Sequence, residues 1–399
     1  MQHFDMIITG AGLAGLSLAT HLVTSPLQNL SILLIDRSAK DKNDRTWGFW
    51  SNKFGIFDHL AVKSWDQFRF TSQSADKVIQ LKDYRYKVIA GIDLYRNVQN
   101  MLAKQGNVKQ ITGTVRNIED GADRVLVQTN DTVYSGTWLF NSMHKRSDFH
   151  IQPDCHHCLN LHFLGWEIET KEPFFDPNTP TFMDFRTPQG NETRFFYILP
   201  YSRHHALIEY TLFTRNRYQK GHYTRAMLSY LDRVMKIGEF NIHRNEIGSI
   251  PITDRGFPRR VGHRVINIGA LGGMIKPSTG YAFTRIQQDS AAIVQSMLSQ
   301  GDPFKVPGYS QRYRLYDRMI LNIICNHGER IQTIFSDLFS RNPIERIFRF
   351  LDEQGSLQEN IQLIYSLPHP IFLRSLFTRR VIRGFRPILT EHFSSYKKS

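Results

Sequence analysis

The sequence predicts an α/β fold: a Rossmann-like nucleotide-binding domain into which an antiparallel β-sheet is inserted, with a helical region at the C-terminal end. Three observations predict it. A strand, a glycine-rich turn and a helix open the chain, a series of alternating strands between residues 158 and 214 breaks the α/β rhythm, and a second strand, glycine turn and helix resume it from Val265. The expected division is 1–145 for the first part of the nucleotide domain, 146–262 for the β-rich substrate domain, 263–300 for the second nucleotide part and 301–399 for a helical region with a basic amphipathic tail.

The opening motif is the most specific local signal. In "FDMIITGAGLAGLSLATHL" a β-branched run, Met6 to Thr9, precedes Gly10, Gly12 and Gly15 in the G-x-G-x-x-G pattern, and a helical stretch follows from Leu16. The first glycine makes the tight turn, the second lets backbone approach a pyrophosphate, and the third lets helix pack on strand. The pyrophosphate would rest on the positive end of that helix. A second strand, "LSILLID", ends in Asp36, where a carboxylate can accept both hydroxyls of an adenosine ribose.

The next stretch, "DRTWGFW", holds two of the chain's five tryptophans and is expected to be a loop. Trp47, Phe49 and Trp50 offer broad, rigid aromatic faces, and Arg45 before them would either bind cofactor phosphates or anchor the loop. A helix is expected from Asp93 to Lys104, then a β-meander with turns at Asp120-Gly121 and Asn130-Asp131. "CLNLHFLGWEIET", "TFMDFR", "TRFFYILP" and "HALIEYTLFT" read as the inserted sheet. In "VINIGALGGMIKPSTGYAFTRIQQDSAAIV", the glycines Gly269, Gly272 and Gly273 are followed by Pro277 and Gly280 before a long helix. Such a turn aims a helix N-terminus at the electron-rich edge of a flavin, so the two motifs together favour FAD over NAD and a nucleotide domain of the flavin hydroxylase type.

Composition narrows the classes. A chain of 399 residues can bury a sizeable core, and three cysteines are too few and oddly numbered for a disulfide framework, which points to a reducing, cytoplasmic setting. Neither a signal-like segment before the first motif nor a long apolar run is seen. The net charge of +14 is not gathered into a nucleic-acid motif, so no nucleic-acid partner is expected. Near the end, "PIFLRSLFTRRVIRGFRPIL" interleaves apolar residues with Arg374, Arg379, Arg380 and Arg383, a composition suited either to the anionic inner face of a cell membrane or to a solvated helix capping the core.

Several stretches together carry a resemblance: Gly10, Gly12 and Gly15 with Asp36, "RTWGFW" (45–50), "FLGWEIE" (163–169), "MDFR" (183–186), "LIEYT" (207–211), "EIGSIP" (246–251) and "GGMIKPSTGY" (272–281). In their order and spacing the chain resembles the flavin-dependent lycopene cyclases of the bacterial and plant β-cyclase type, over nearly its whole length. The resemblance implies acid-catalysed closure of the acyclic ends of a C40 polyene, lycopene to γ-carotene and then β-carotene, in carotenoid biosynthesis. It also implies FAD in its reduced form, NADPH as a source of electrons, and other carotenoid enzymes as neighbours, although no hydride enters the product.

Individual residues fit that chemistry. "HALIEYTLF" alternates, so Leu207, Glu209, Thr211 and Phe213 share one strand face and leave Glu209 a lone carboxyl in largely apolar company. Desolvation raises such a group's pKa, as an acid that protonates an alkene near neutrality requires, and the resemblance assigns the catalytic glutamate to this segment. Asp184 is a candidate to hold or relay the proton, or to pair with Arg186, and Glu246 to support the site floor or assist deprotonation. Trp47, Phe49, Trp50, Trp166 and Tyr281 are assigned to the substrate cavity, where aromatic faces stabilise a carbocation without bonding to it, each contributing roughly 0.5–2 kcal/mol. Trp166 and Glu167 are adjacent on a strand, so at most one lines the cavity.

The run "CHHC" (155–158) lacks the second knuckle that a zinc site needs, and no metal is expected. Flavin hydroxylases of this architecture carry a Gly-Asp pair at the second flavin motif, whereas Ala270 follows Gly269 here; that departure counts against the alternative function, an FAD-dependent monooxygenase acting on a polyene or other apolar substrate.

Overall fold

A computed structural model describes residues 1–149, 156–216, 218–308, 310–378 and 381–382. The arginines Arg379, Arg380 and Arg383, on which the membrane reading of the tail was based, lie outside the described residues. Three sheets organise the rest. In the first, His3–Thr9 lies between Ile32–Asp36 and Val133–Asn141, all parallel, with Val108–Thr112 beyond Ile32–Asp36. Because strand side chains alternate, Met6, Ile8, Ile32 and Leu34 pack on one face against the helices Leu13–Val23 and Phe283–Gln300, while Ile7, Leu33, Ile35 and Leu139 pack on the other. The expected meander is divided: Val108–Thr112 joins the parallel sheet, and only Asn117–Asp120 and Val125–Gln128 run antiparallel beside Val133–Asn141. The short strand Val265–Asn267 returns to pair with the end of Val133–Asn141, which brings the second glycine turn beside the first.

The second sheet has seven strands in the order Phe240–Thr253, Cys158–Thr170, His205–Thr214, Thr193–Pro200, Thr181–Asp184, Gln67–Thr71 and Asp76–Gln80. Its last two strands come from within the first 145 residues, so the chain enters this sheet before completing the nucleotide domain. One face is covered by the helix Lys220–Tyr230 through Tyr223, Met227 and Tyr230. The opposite face meets a three-stranded sheet (Thr46–Ser51, Arg85–Ala90, Lys63–Trp65) and the C-terminal helices Gln311–His327, Ile331–Arg341 and Ile344–Leu351. "DRTWGFW" is therefore largely a strand: Thr46–Ser51 pairs with Arg85–Ala90, and its turn-like glycine, Gly48, leaves the space that the Tyr86 hydroxyl fills.

Candidate functional site

Two glycine turns meet at the carboxyl ends of the parallel strands. Gly10 has φ +96°, and its N–H donates to the Ile35 carbonyl at 2.7 Å. A Cβ on Gly15 would lie 1.9 Å from the Gly10 carbonyl oxygen, so glycine is required there by packing. Gly12 has no atom within 4 Å of the Cβ position and stands at the start of Leu13–Val23, whose N-terminus carries no side-chain cap. That open, donor-rich turn suits an anion. Asp36 accepts the Ala11 N–H at 2.7 Å and the Ser38 N–H at 2.9 Å, tying the second strand to the turn. Gly269, at φ +62°, approaches Ala14 so closely that a Cβ would lie 2.8 Å from the alanine methyl. Gly272 is equally confined by the backbone of Asn267 and Ile268, and Gly273 and Gly280 also have positive φ. Pro277–Tyr281 form a loop closed by the Lys276 N–H donating to the Tyr281 carbonyl at 3.0 Å, and the helix begins after it, at Phe283. The Trp47 indole N–H and the Ser278 hydroxyl are buried with no hydrogen-bond partner. Arg45 pairs with Asp44 at 2.9 Å and lies over the Trp47 ring.

The acid chamber is built by strand register. Tyr197, Glu209, Gly165 and Glu246 stand in one rung across four neighbouring strands. Glu209 accepts the Thr211 hydroxyl at 2.7 Å. Glu246 accepts Arg244 Nη1 at 2.7 Å and the Thr46 hydroxyl at 3.1 Å, and Arg244 Nε also donates to Glu167 at 2.7 Å. Burial, and then the neighbouring charge of Glu246, push the Glu209 carboxyl up to about 8. Burial also raises Glu246, against the pull of Arg244. The phenols of Tyr86, Tyr197 and Tyr281 close the chamber, all held by burial well above the ordinary tyrosine range; the hydroxyls of Tyr197 and Tyr281 are 3.3 Å apart.

The aromatic strand divides its side chains between two sides. Trp47 and Phe49 pack on Phe283 in the nucleotide-domain core, with centroid distances of 6.0 and 4.2 Å. Trp50 turns the other way, stacked on Phe348 at 4.8 Å and edge-on to Tyr281 at 4.6 Å. Phe49, Trp50, Tyr281, Phe283, Lys276 and Asp352 help line a small cleft. Asp352, which no sequence signal singled out, accepts the Trp50 indole N–H at 2.9 Å, and burial raises it to about 7. Its place after the helical run "IERIFRFL" reads in sequence as a solvated helix end.

Besides Trp47, which packs in the nucleotide-domain core, two candidates lie elsewhere. Asp184 and Trp166 face the helix Lys220–Tyr230, across the sheet from Glu209. Asp184 sits opposite Phe196 in the register, binds Arg186 and accepts the Tyr230 hydroxyl at 2.6 Å. Trp166 sits opposite Ile208 in the same apolar cluster as Tyr230. Trp166 is corrected as a cavity residue, since odd and even positions of a strand cannot reach one cavity and it is Glu167 that shares the face of Glu209; of the two readings of Asp184, the pairing with Arg186 holds and the proton relay does not. In the "CHHC" run, Cys155 lies outside the described residues, and His157 is buried between Asp254 at 2.8 Å and Asn322 at 3.0 Å.

Solved structures share this architecture at low sequence identity. A geranylgeranyl bacteriochlorophyll reductase-like protein from Thermoplasma acidophilum aligns with TM-score 0.59 and 12% identity, over 94% of this chain and 99% of that one. The p-nitrophenol 4-monooxygenase PnpA from Pseudomonas putida DLL-E4 gives 0.59 and 11%, over 96% and 99%. PqsL from Pseudomonas aeruginosa, described as a probable FAD-dependent monooxygenase, gives 0.56 and 13%, over 85% and 100%. The fold is thus that of FAD-dependent monooxygenases and geranylgeranyl reductases, as the two glycine motifs and the inserted sheet predicted. No curated protein matches the chain. Residues 5–377 match the family described as lycopene cyclase protein, and on that match across nearly its whole length the chain belongs to the lycopene cyclase family.

Proposed function

We propose that the protein is an FAD-dependent lycopene β-cyclase that closes the ψ-ends of lycopene to β-rings by acid catalysis, without net redox change. The observation that carries this reading is Glu209: a carboxyl held in its protonated form by burial, hydrogen-bonded by Thr211 and enclosed by phenols and apolar side chains. Such an acid gives its proton to C2 of the terminal alkene. The C5=C6 bond attacks the resulting C1 cation, and loss of a proton from C6 completes the ring. One C–C bond forms, one proton enters and one leaves, so atoms and electrons balance.

The residues fit a flavin dinucleotide. Gly12 opens onto free space before an uncapped helix, Asp36 stands at the second strand end, and the orphaned donors of Trp47 and Ser278 await a polar partner. Held there in reduced form, with NADPH as the source of electrons, a flavin would supply negative potential for the cationic transition state. The chain's own part is to exclude water, orient the alkene against the Tyr281 and Trp50 rings, and deliver the proton from Glu209.

A water-insoluble substrate is best collected at a membrane surface. No helix among the described residues is long and apolar enough to cross a membrane. A peripheral contact is supported instead by exposed Leu357, Ile361, Tyr365 and Leu373 on two successive helices and Phe377 just after the second.

The test is expression in a bacterium that accumulates lycopene, with pigments resolved by chromatography. The wild type should convert lycopene to bicyclic carotene, and Glu209→Gln should leave it unconverted while retaining bound FAD. Lycopene left intact by a folded, FAD-bearing wild type, or rapid NADPH oxidation in air, would replace the reading with an oxidoreductase.

A further inference from the structure

We propose that Glu246 is a positioning residue that keeps the catalytic proton on Glu209, the two carboxyls sharing one proton over the gap left by Gly165. Gly165 pairs with Glu209 on one side and with Glu246 on the other, so the two glutamates flank the same residue, and Glu246 leans over it. A Cβ there would lie 2.8 Å from Glu246 Cγ and 3.3 Å from its Oε1. The missing side chain therefore leaves room for Glu246 Oε1 above the central strand, on the rung that Glu246 and Glu209 share.

The donors around the pair decide which carboxyl carries the proton. Oε2 of Glu246 receives two donors, Arg244 and Thr46, one of them cationic. Glu209 receives one neutral donor, Thr211. Glu246 is thus the better carboxylate and Glu209 the better acid, the division that two carboxyls in contact adopt because both cannot ionise. The other groups around Glu209 agree with this placement. Tyr86 from the small sheet, Tyr197 and Tyr201 from the neighbouring strand and its end, and Tyr281 from the loop before Phe283 are phenols held neutral by burial, and the cation Arg244 is engaged by Glu246 and Glu167. The sequence names both glutamates as candidates, and register sets them on one rung.

The meaning for cyclisation rests on the proposed function, but the shared proton can be measured without turnover. Infrared spectra of the purified, flavin-loaded protein, titrated through pH 8, should show the carbonyl band of a buried protonated carboxylic acid that Glu209→Gln removes. In Glu246→Gln the midpoint of that band should fall by at least about one pH unit, a tenfold change in the ratio of protonated to ionised carboxyl, because the like charge is gone. Glu246→Asp, which restores the charge, should recover much of the shift. Gly165→Ala, which pushes the carboxyls apart, should lower the midpoint as Glu246→Gln does. An unmoved midpoint in folded Glu246→Gln, or in Gly165→Ala should the first variant fail to fold, overturns the proposal. A moved midpoint in a protein that leaves lycopene intact would sustain the carboxyl pair and remove only its cyclase role.

Discussion

The three glycines of the opening motif are chemically identical and physically different. Gly15 faces the Gly10 carbonyl at a distance no Cβ can occupy, whereas Gly12 faces nothing. Gly15→Ala should therefore strain helix against turn and destabilise the fold by roughly 1–3 kcal/mol. Gly12→Ala should leave the melting temperature of the flavin-free protein unchanged and lower flavin content after purification. Thermal melts and flavin absorbance of the two variants check this, and equal melting losses would refute the division of roles. At the same scale, Glu209 as the proposed acid should set the pH profile. Burial and the Glu246 charge push its carboxyl up to about 8, so cyclisation should be sustained through neutrality and decline as pH rises past that value, the proton donor being lost. A profile that rises through pH 8 would exclude Glu209 as the acid.

Between elements, the join of the aromatic strand to the helix Ile344–Leu351 and the loop after it is held by Trp50, Asp352 and an ionic cluster. Lys276 bridges Asp317 and Glu353 at 3.1 Å each, and Arg285 also pairs with Glu353. Two cations thus face three carboxylates, counting Asp352. Burial lifts Asp352 to about 7, above the unfolded value of 3.8, so folding takes up a proton between those limits. Its stabilising effect is full below the lower limit and lost as pH approaches the upper one. Asp352→Asn keeps an acceptor for the Trp50 N–H and removes the surplus charge. It should raise stability above pH 7 by on the order of 1–3 kcal/mol and leave it unchanged in acid, as melts across pH would show. Asp352 marks the limit of what the sequence discloses. The glycine turns, the alternation around Glu209 and the C-terminal helices were legible because each is written in neighbouring residues. The Tyr197–Glu209–Gly165–Glu246 rung was not, because register joins residues from four strands and no local pattern records which rungs align. Trp166 and the proton-relay reading of Asp184 failed for a related reason: a strand shows which residues share a face, but not which face meets the cavity.

At the scale of the molecule, apolar side chains left in water are the informative feature of a chain with a well-filled core. Leu357, Ile361 and Tyr365 recur every fourth residue along one helix, 58%, 57% and 77% exposed. The stripe continues through Leu373 on the next helix and Phe377 just after its end, 55% and 73% exposed, and the Tyr365 and His369 rings, 5.0 Å apart, join the two helices. Arg374 is exposed on the same second helix, and Arg379, Arg380 and Arg383 follow it in sequence. Apolar anchors beside cations suit the surface of an anionic bilayer, where each basic residue adds about 1 kcal/mol and the effect weakens with salt. The purified protein should sediment with anionic vesicles more than with neutral ones, and salt should weaken that binding. Replacing Ile361 and Phe377 by serine should release it at both salt levels with little change in melting temperature, since neither side chain is packed in the core. If the double variant sediments like the wild type, the stripe is not the membrane face. If it stays soluble but no longer clears lycopene from membranes while still cyclising detergent-dispersed lycopene, the stripe serves substrate collection and the acid chamber works independently of it.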